Sequence, residues 1–382
     1  MGNYKAYYFI YFAAAAALLP FLTLYYQGAG LSGQQIGLLA GITPVLVLVG
    51  APLWGGLADA TRRGKTVLLG AIAAAVLCAL LISLARSFAG LLLAVSAYAF
   101  CVAPILPLVD SSALEALGER RHQYGRLRLW GSIGWGVSAP LLGALIDRAG
   151  LPWAFYSYAL LTTAGLLVAW RLPVTQASLG MPFWTGLRLL AADRRWLLFS
   201  GLALVGGIAM AVTNNYLFLY MNDIGANKAL MGISLGVATL SELPVFFFSD
   251  RLLSRFGGPG LLALALIGSG GRALAYSVIQ TPWLVLPVQL LHGLTFSTLW
   301  VGGVARARQL APVGMGATAQ GLFGSLLFGL GAALGGLAGG WLYQGLGAAG
   351  MFRWTGIGIL FGLLIFSLVE KVNKQVFGRS PT

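Results

Sequence analysis

The chain has 382 residues, of which 58% are apolar and only 9% are charged, whereas ordinary soluble domains carry roughly 25% charged residues. Its mean hydropathy is +0.84. These values exclude an ordinary soluble domain and predict an all-α membrane protein. At about 20 residues per span, the length allows about twelve transmembrane helices.

The apolar runs supply that number of spans. In chain order we predict spans at about 5–26, 34–58, 66–85, 90–117, 124–147, 152–172, 196–221, 229–249, 259–279, 282–306, 315–342 and 347–370. The connections alternate between short, nearly uncharged loops and loops that hold or adjoin bases. This alternation indicates that successive loops lie on opposite sides of a membrane.

The basic residues are distributed unevenly between the two sides. Of the 24 Lys and Arg residues, 19 fall on one side, and Arg272 falls inside a span. The four on the other side are Arg86, Arg148, Lys228 and Arg353. This is the positive-inside pattern, so it accounts for the net charge of +14 without a nucleic-acid partner and predicts that both termini are cytosolic.

A polar connection at 173–195 divides the chain into a predicted N-terminal bundle, 1–172, and a C-terminal bundle, 196–382. Sequence features of the first half recur in the second, 191 to 193 positions later. The D-A-T-R-R-G stretch at 59–64 returns as D-R-L-L-S-R-F-G at 250–257, and W-G-S at 130–132 returns as F-G-S at 323–325. We therefore predict two pseudo-symmetric six-helix bundles around an axis along the membrane normal, the organisation of facilitator-type transporters.

The connection between the second and third spans is a short charged hairpin. Asp59 is expected to end the second span with its carboxylate within reach of Arg62 or Arg63, while Gly64 permits the turn. The stretch resembles the G-x-L-A-D-x-x-G-R-K signature of the major facilitator superfamily, although its glycine follows the two arginines here. The resemblance implies a cytosolic gate formed by Asp59, Arg62, Arg63 and Lys65, with Asp250 and Arg255 as a weaker copy.

A few ionisable residues lie inside predicted spans, where charge is costly and usually functional. Asp110 in the fourth span and Arg128 in the fifth are placed to pair across a helix contact. Glu242 lies about 12 Å from the end of its span at 1.5 Å per residue. His292 lies about ten residues into the tenth span, near the midplane, and Arg272 about thirteen residues into the ninth. The pattern alone leaves two interpretations of this second group open, a structural clamp or a proton-handling site.

The resemblance extends over the whole chain, helix by helix. Y-G-R-L-R-L-W-G-S at 124–132, P-L-V-D at 107–110, and T-P-W-L with Q-L-L-H at 281–284 and 289–292 resemble the lactose permease, phenylpropionate permease-like and nucleoside-proton symporter branch of that superfamily.

The resemblance to this branch also implies residue roles. Arg128 and Trp135 would bind solute, whereas Arg272 and His292 would act in proton coupling and binding. In these relatives a carboxylate one turn beyond the histidine carries the proton, but this chain has Thr295 at that position. If protons drive transport here, Glu242 or Asp110 must take that role. The model of coupling that follows is that Arg272 keeps Glu242 ionised in one state and releases it to take up a proton in the other.

Other polar residues of the cavity-lining spans are weaker candidates. They can hydrogen-bond a solute or a neighbouring helix equally well. These residues are Asn214 and Asn215 in the seventh span, Gln289 in the tenth and Gln320 in the eleventh.

The predicted function is proton symport of a small organic solute, a sugar, a nucleoside or an aromatic or organic acid, across a bacterial cytoplasmic membrane. The alternative is a proton-coupled exporter, but A-P-L-L-G-A at 139–144 matches the exporters' G-P-x-x-G-G pattern only in part. An enzyme is disfavoured because there is no H-E-x-x-H or G-x-S-x-G, and a primary pump because there is no P-loop. We expect a monomer in the lipid bilayer, without cofactor or metal and with the proton gradient as energy source.

Overall fold

The computed structural model describes residues 1–173, 190, 192–312 and 315–376, and this part of the chain forms helices and turns without any strand. Eleven stretches are long and apolar enough to cross a bilayer. The last of them, Thr318–Val369, is broken at Gly347 by a φ of 67°, which makes two helices of it. The helices are α1 (Gly2–Gly28), α2 (Gly33–Thr61), α3 (Gly64–Leu84), α4 (Phe88–Arg120), α5 (Tyr124–Ala149), α6 (Pro152–Trp170), α7 (Arg194–Asp223), α8 (Lys228–Phe247), α9 (Ser249–Tyr276), α10 (Pro282–Leu310), α11 (316–346) and α12 (348–376).

The two predicted halves pack in the same way. In the first half α1 packs on α5, α2 on α4, and α3 on α4 and α6; in the second α7 packs on α11, α8 on α10, and α9 on α10 and α12. The contacts between the halves follow the same rule, since α2 packs on α11 and α5 packs on α8. The fold therefore confirms the predicted pseudo-symmetric all-α architecture. The predicted linker at 173–195 lies largely outside the described residues.

Side chains at the helix starts explain several boundaries. Ser32 and Gln35 form a reciprocal capping box at the start of α2, at 3.3 and 3.0 Å. Ser87 caps α4 through the Gly90 N–H, and Asn227 caps α8 through the Leu230 N–H. Each cap satisfies an amide that has no partner within its helix.

The charged hairpin after α2 differs from its prediction. The left-handed residue is Arg62, with φ 54° and ψ 30°, while Gly64 already belongs to α3. The Arg62 and Arg63 amides donate to the carbonyls of Asp59 and Ala58, a Schellman ending that usually places glycine at this position. Asp59 forms no ion pair with either arginine. The expected side-chain contact is thus replaced by backbone hydrogen bonds.

The predicted loop at 250–258 is also mostly helical. The chain enters α9 at Ser249 and is interrupted only at Gly257, whose φ is 64°. A glycine takes this left-handed conformation without the steric cost that other residues bear. The connection to the main part of α9 is therefore a single-residue break.

The α2–α11 pair is closed at one membrane face and open at the other. We call the face with both described chain ends and the α2–α3 connection the charged face, and the opposite face the sparse face. A Cβ on Gly37 would lie 2.9 Å from Gly340 Cα, and one on Gly329 3.1 Å from Leu48. In the same pairing of residues along the two helices, Gly56 and Gly321 are the next to face each other toward the charged face. A Cβ on either would meet nothing within 4 Å, so the helices are apart there.

The α5–α8 pair behaves in the same way. A Cβ on Gly143 would lie 2.9 Å from Gly232 Cα near the sparse face, and one on Gly136 would lie 2.8 Å from Thr239. The next two residues to face each other toward the charged face are Leu129 and Phe246, and both are exposed. The two halves therefore meet at the sparse face and separate at the charged face.

Candidate functional site

A buried arginine organises the polar cluster of the second half. Arg272 on α9 is 5% exposed, and its Nε donates to the Tyr276 hydroxyl one helical turn later, at 3.0 Å. Its Nη1 lies 2.9 Å from His292 Nδ1 and 3.3 Å from Thr295 Oγ1, and its Nη2 donates to Gln289 Oε1. Four polar groups on α9 and α10 thus compensate the charge of one guanidinium, as a buried cation requires.

His292 connects this arginine to Glu242. A guanidinium only donates hydrogen bonds, so His292 Nδ1 must accept from Arg272 and the ring proton must lie on Nε2. Nε2 lies 3.2 Å from Glu242 Oε1 on α8, and there it donates to the carboxylate. The arrangement therefore holds a neutral histidine between a cation and an anion.

The direct Glu242–Arg272 pairing expected from the sequence does not occur in this conformation. Among the described residues, Arg128 and Asp110 form an ion pair, whereas Glu242 meets the neutral His292 ring, which separates it from Arg272. The three groups expected to compensate one another do meet, but in the order Glu242, His292, Arg272.

Gln289 is held within the cluster. The side chain is 1% exposed. Its Oε1 accepts from Arg272 and, at 3.1 Å, from Tyr276, and its Nε2 donates to Ser234 Oγ at 3.4 Å. In this conformation the amide orients the guanidinium, and its burial keeps it from a solute.

A small cavity adjoins the cluster on the side of α7. Its volume is about 20 Å³, and its polar lining includes Asn214, Arg272, His292 and Thr295. That volume is enough for about one water molecule. Asn214, which the sequence marked as a weak candidate, is therefore brought to the cluster, with room for a single bridging molecule between them.

A second polar cluster lies in the first half. Asp110 Oδ1 on α4 accepts from the Tyr8 hydroxyl of α1 at 2.6 Å and lies 4.0 Å from Arg128 Nε on α5. The Arg128 guanidinium also lies over the Phe12 ring, 4.7 Å from its centroid. The predicted Asp110–Arg128 pair thus forms, and about a third of the arginine side chain stays exposed. An exposed guanidinium beside aromatic rings can bind a carboxylate or a hydroxyl-rich solute.

Three predicted solute-binding residues are not part of either cluster. Trp135 and Asn215 are half-buried on α5 and α7, and Gln320 is half-buried on α11. None of the described hydrogen bonds or ring contacts involves these side chains. In this conformation no described polar partner holds them in position.

The predicted gate residues lie at the open face. Asp59, Arg62, Arg63, Lys65, Asp250 and Arg255 are all exposed. The Arg255 guanidinium lies over the neighbouring Phe256 ring, 5.5 Å from its centroid. This exposure agrees with a structure whose halves have separated at the charged face.

The sparse face is closed by hydrogen bonds that cross between the halves. Asp147 Oδ1 on α5 accepts from the backbone N–H of Lys228, the first residue of α8, at 3.0 Å. Gln344 Oε1 on α11 accepts from the N–H of Gly33, the first residue of α2, at 2.6 Å. We call these two contacts the cross-half caps. They are equivalent under the repeat, because each joins the second helix of one half to the fifth helix of the other.

Several residues of the two clusters were not found from the sequence. Tyr276 lies four residues after Arg272, a spacing that places both on one helical face, so this contact had a sequence signal. Tyr8 and Ser234 had none, because each meets its partner only through the packing of distant helices.

Structural comparison supports the fold. The crystal structure of the nucleoside transporter NupG superimposes with a TM-score of 0.84 over 97% of this chain and 98% of that one, at 17% sequence identity. A POT family transporter superimposes with a TM-score of 0.72 over 96% of this chain and 94% of the other, at 13% identity. The fold is that of the major facilitator transporters.

Sequence comparison defines the family. Residues 1–354 match the MFS_1 like family, and the chain belongs to it. The chain is 32% identical over 375 residues to a maltose permease of Geobacillus stearothermophilus, covering 97% of this chain and 95% of the permease. It is 26% identical over 362 residues to a probable 3-phenylpropionic acid transporter of Escherichia coli (strain K12), covering 89% and 90%. The protein is thus an integral membrane protein of a transporter family and not of an enzyme family.

Proposed function

We propose that the protein is a secondary active transporter that takes up a small organic solute together with protons by alternating access, without a cofactor and as a monomer. Both termini and the charged face are placed in the cytosol of a bacterial cell, since most of the bases lie there. The structure then corresponds to a state open to the cytosol.

The contacts that join Glu242 to His292 and His292 to Arg272 carry this proposal. This group of three side chains includes the Glu242 carboxylate and the neutral His292 imidazole, and both can accept a proton. A proton on His292 would place a donor at Nδ1 against the Arg272 guanidinium and so break that contact. A proton on Glu242 would remove the charge that accepts from Nε2. Either event changes a contact between helices, which is how protonation shifts a conformational equilibrium.

The test of coupling is Glu242→Gln in proteoliposomes. This variant keeps the size and the acceptor oxygen but cannot become ionised. We expect it to lose uphill accumulation driven by a proton gradient and to retain exchange of solute between equal concentrations. Glu115→Gln is a matched control, because Glu115 is exposed on α4. Full gradient-driven uptake by Glu242→Gln would transfer the role to Asp110 and Arg128.

The solute is proposed to carry hydroxyl or carboxylate groups and to be a sugar, a nucleoside or an aromatic or organic acid. Arg128 and the half-buried Trp135 offer a charged donor and a ring for such solutes. A sugar is the first candidate, because the maltose permease is 32% identical over nearly the whole chain. Uptake of labelled maltose, 3-phenylpropionate and a nucleoside should be compared. Transport of none of these classes would overturn this assignment.

Proton-coupled export is the alternative. It could use the same three side chains, so the direction of the gradient distinguishes the two. Import requires that solute and protons move the same way, and acidifying the exterior should then drive accumulation inside. Accumulation only when the interior is acidified would establish antiport.

A further inference from the structure

The helices that carry Glu242 and His292 are joined by a backbone contact one residue away from each. The Gly293 N–H on α10 donates to Ser241 Oγ on α8 at 2.8 Å. The Ser241 hydroxyl proton donates to the Ala238 carbonyl of its own helix, at 2.6 Å. The hydroxyl is therefore oriented with a lone pair directed at Gly293.

The contact requires a glycine at position 293. A Cβ there would overlap the Ser241 carbonyl and would lie 2.9 Å from the Glu242 amide nitrogen. No rotation of a side chain relieves such an overlap, because the neighbouring atoms belong to the backbone of α8. Only a residue without a Cβ lets α8 and α10 approach this closely.

The α10 backbone is irregular at the same place. The Leu290 and Leu291 amides donate three residues back, to Pro287 and Val288, and a π-helical turn follows at Gly293–Ser297. Single π-helical turns within helices are frequent at functional sites. Here the irregularity turns the Gly293 amide toward α8 immediately after His292.

We propose that Ser241 and Gly293 are positioning residues for proton coupling. Their hydrogen bond and backbone contact set the separation of α8 and α10 at the point where Glu242 Oε1 meets His292 Nε2. This inference rests on the proposed function, in which that pair handles the proton. It adds that coupling depends on a serine and a glycine that neither bind the proton nor contact a solute.

The test compares accumulation with exchange in proteoliposomes, using maltose or whichever solute the uptake comparison identifies. Ser241→Ala removes the acceptor for Gly293 and adds no bulk. We expect its proton-driven accumulation ratio to fall between about two- and tenfold, the factor that one hydrogen bond contributes, while solute exchange stays near the wild-type rate. Ser241→Thr keeps the hydroxyl and should retain accumulation. The pH dependence of exchange should also shift in Ser241→Ala, which a purely structural defect would not cause.

Gly293→Ala should uncouple transport more strongly, and Gly271→Ala is its control, because a Cβ on Gly271 meets nothing within 4 Å. If Gly293→Ala does not fold, the result for Ser241→Ala alone decides whether the positioning role holds. Normal accumulation by Ser241→Ala, with Glu242→Gln uncoupled, would overturn the positioning role and leave the proposed function intact. Normal accumulation by both Ser241→Ala and Glu242→Gln would overturn the inference and would also move the proton site from Glu242 to Asp110 and Arg128. An equal loss of accumulation and exchange in Ser241→Ala would indicate a structural role only and would overturn the inference.

Discussion

Replacing Asp147 by alanine should open the sparse face. Asp147 belongs to the first half, yet it caps the start of α8 in the second. In alternating access α5 and α8 must separate at this end, so the cap exists only in the closed state. Its loss therefore destabilises one state and not the other, which is the condition for a population shift.

The magnitude follows from the contact. Loss of a capping side chain costs about 0.5–2 kcal/mol, and loss of a carboxylate from a helix N-terminus costs roughly 0.3–1 kcal/mol when the group is exposed. The two losses together span about 0.8–3 kcal/mol, and because Asp147 is exposed we expect the closed state to lose about 1–2 kcal/mol, within the lower part of that range. This corresponds to a shift of about 5- to 30-fold toward the state open at the sparse face.

The assay is the distance between spin labels at Ala149 and Ala349, which are exposed on the sparse face in different halves. The labels require a background without Cys78 and Cys101. Double electron–electron resonance should show the longer distance more populated in Asp147→Ala. Asn227→Ala is the matched control, because Asn227 caps the same helix from within its own half and its loss costs the same in both states. An unchanged distribution in Asp147→Ala, or an equal shift in the control, would refute the reasoning.

Three further variants test other contacts. Gln344→Ala removes the second cross-half cap and should shift the same spin-label distances in the same direction but by less, since a neutral amide oxygen is replaced. Gly37→Ala places a Cβ 2.9 Å from Gly340 Cα and should also favour opening of the sparse face, whereas Gly70→Ala, with nothing within 4 Å, should not. Tyr8→Phe removes the hydrogen bond to Asp110, worth roughly 1.5–3 kcal/mol for a charged acceptor, and should raise the apparent KM for solute, while Tyr156→Phe at an exposed site should leave it unchanged.

The sequence predicted the fold because a bilayer limits the alternatives. Apolar length identifies a span, and loop charge identifies its direction, so twelve helices and their order follow without knowledge of packing. The errors were local ones. The sequence assigned the turn after α2 to Gly64, but α2 continues past Asp59 to Thr61, and Arg62 takes the left-handed position as backbone hydrogen bonds from Arg62 and Arg63 end the helix. It also assigned a loop to 250–258, where one glycine suffices to turn the chain.

The sequence predicted which residues form the candidate site but not which of them are in contact. Buried charge is rare and costly, so Glu242, Arg272 and His292 were evident from composition and depth. Which of them touch depends on the rotation and separation of α8, α9 and α10. In the proposed arrangement the Gly293 contact and the irregular backbone before it set the separation of α8 and α10, and neither feature has a periodic signal. The order of the three residues was therefore beyond sequence reasoning.

The scaffold is symmetric, but its buried charges are not. The two cross-half caps and the two close glycine contacts occur at equivalent positions of the two halves. The buried ionisable groups instead form an acid–arginine pair on α4 and α5 in one half and an acid–histidine–arginine chain on α8, α10 and α9 in the other. Opening and closing can therefore be shared between equivalent contacts. In the proposed function the proton acts at Glu242 and His292, the pair of side chains that joins α8 to α10 in the second half. The local rearrangement of this pair at α8 would then be transmitted to α5, the helix against which α8 closes the sparse face.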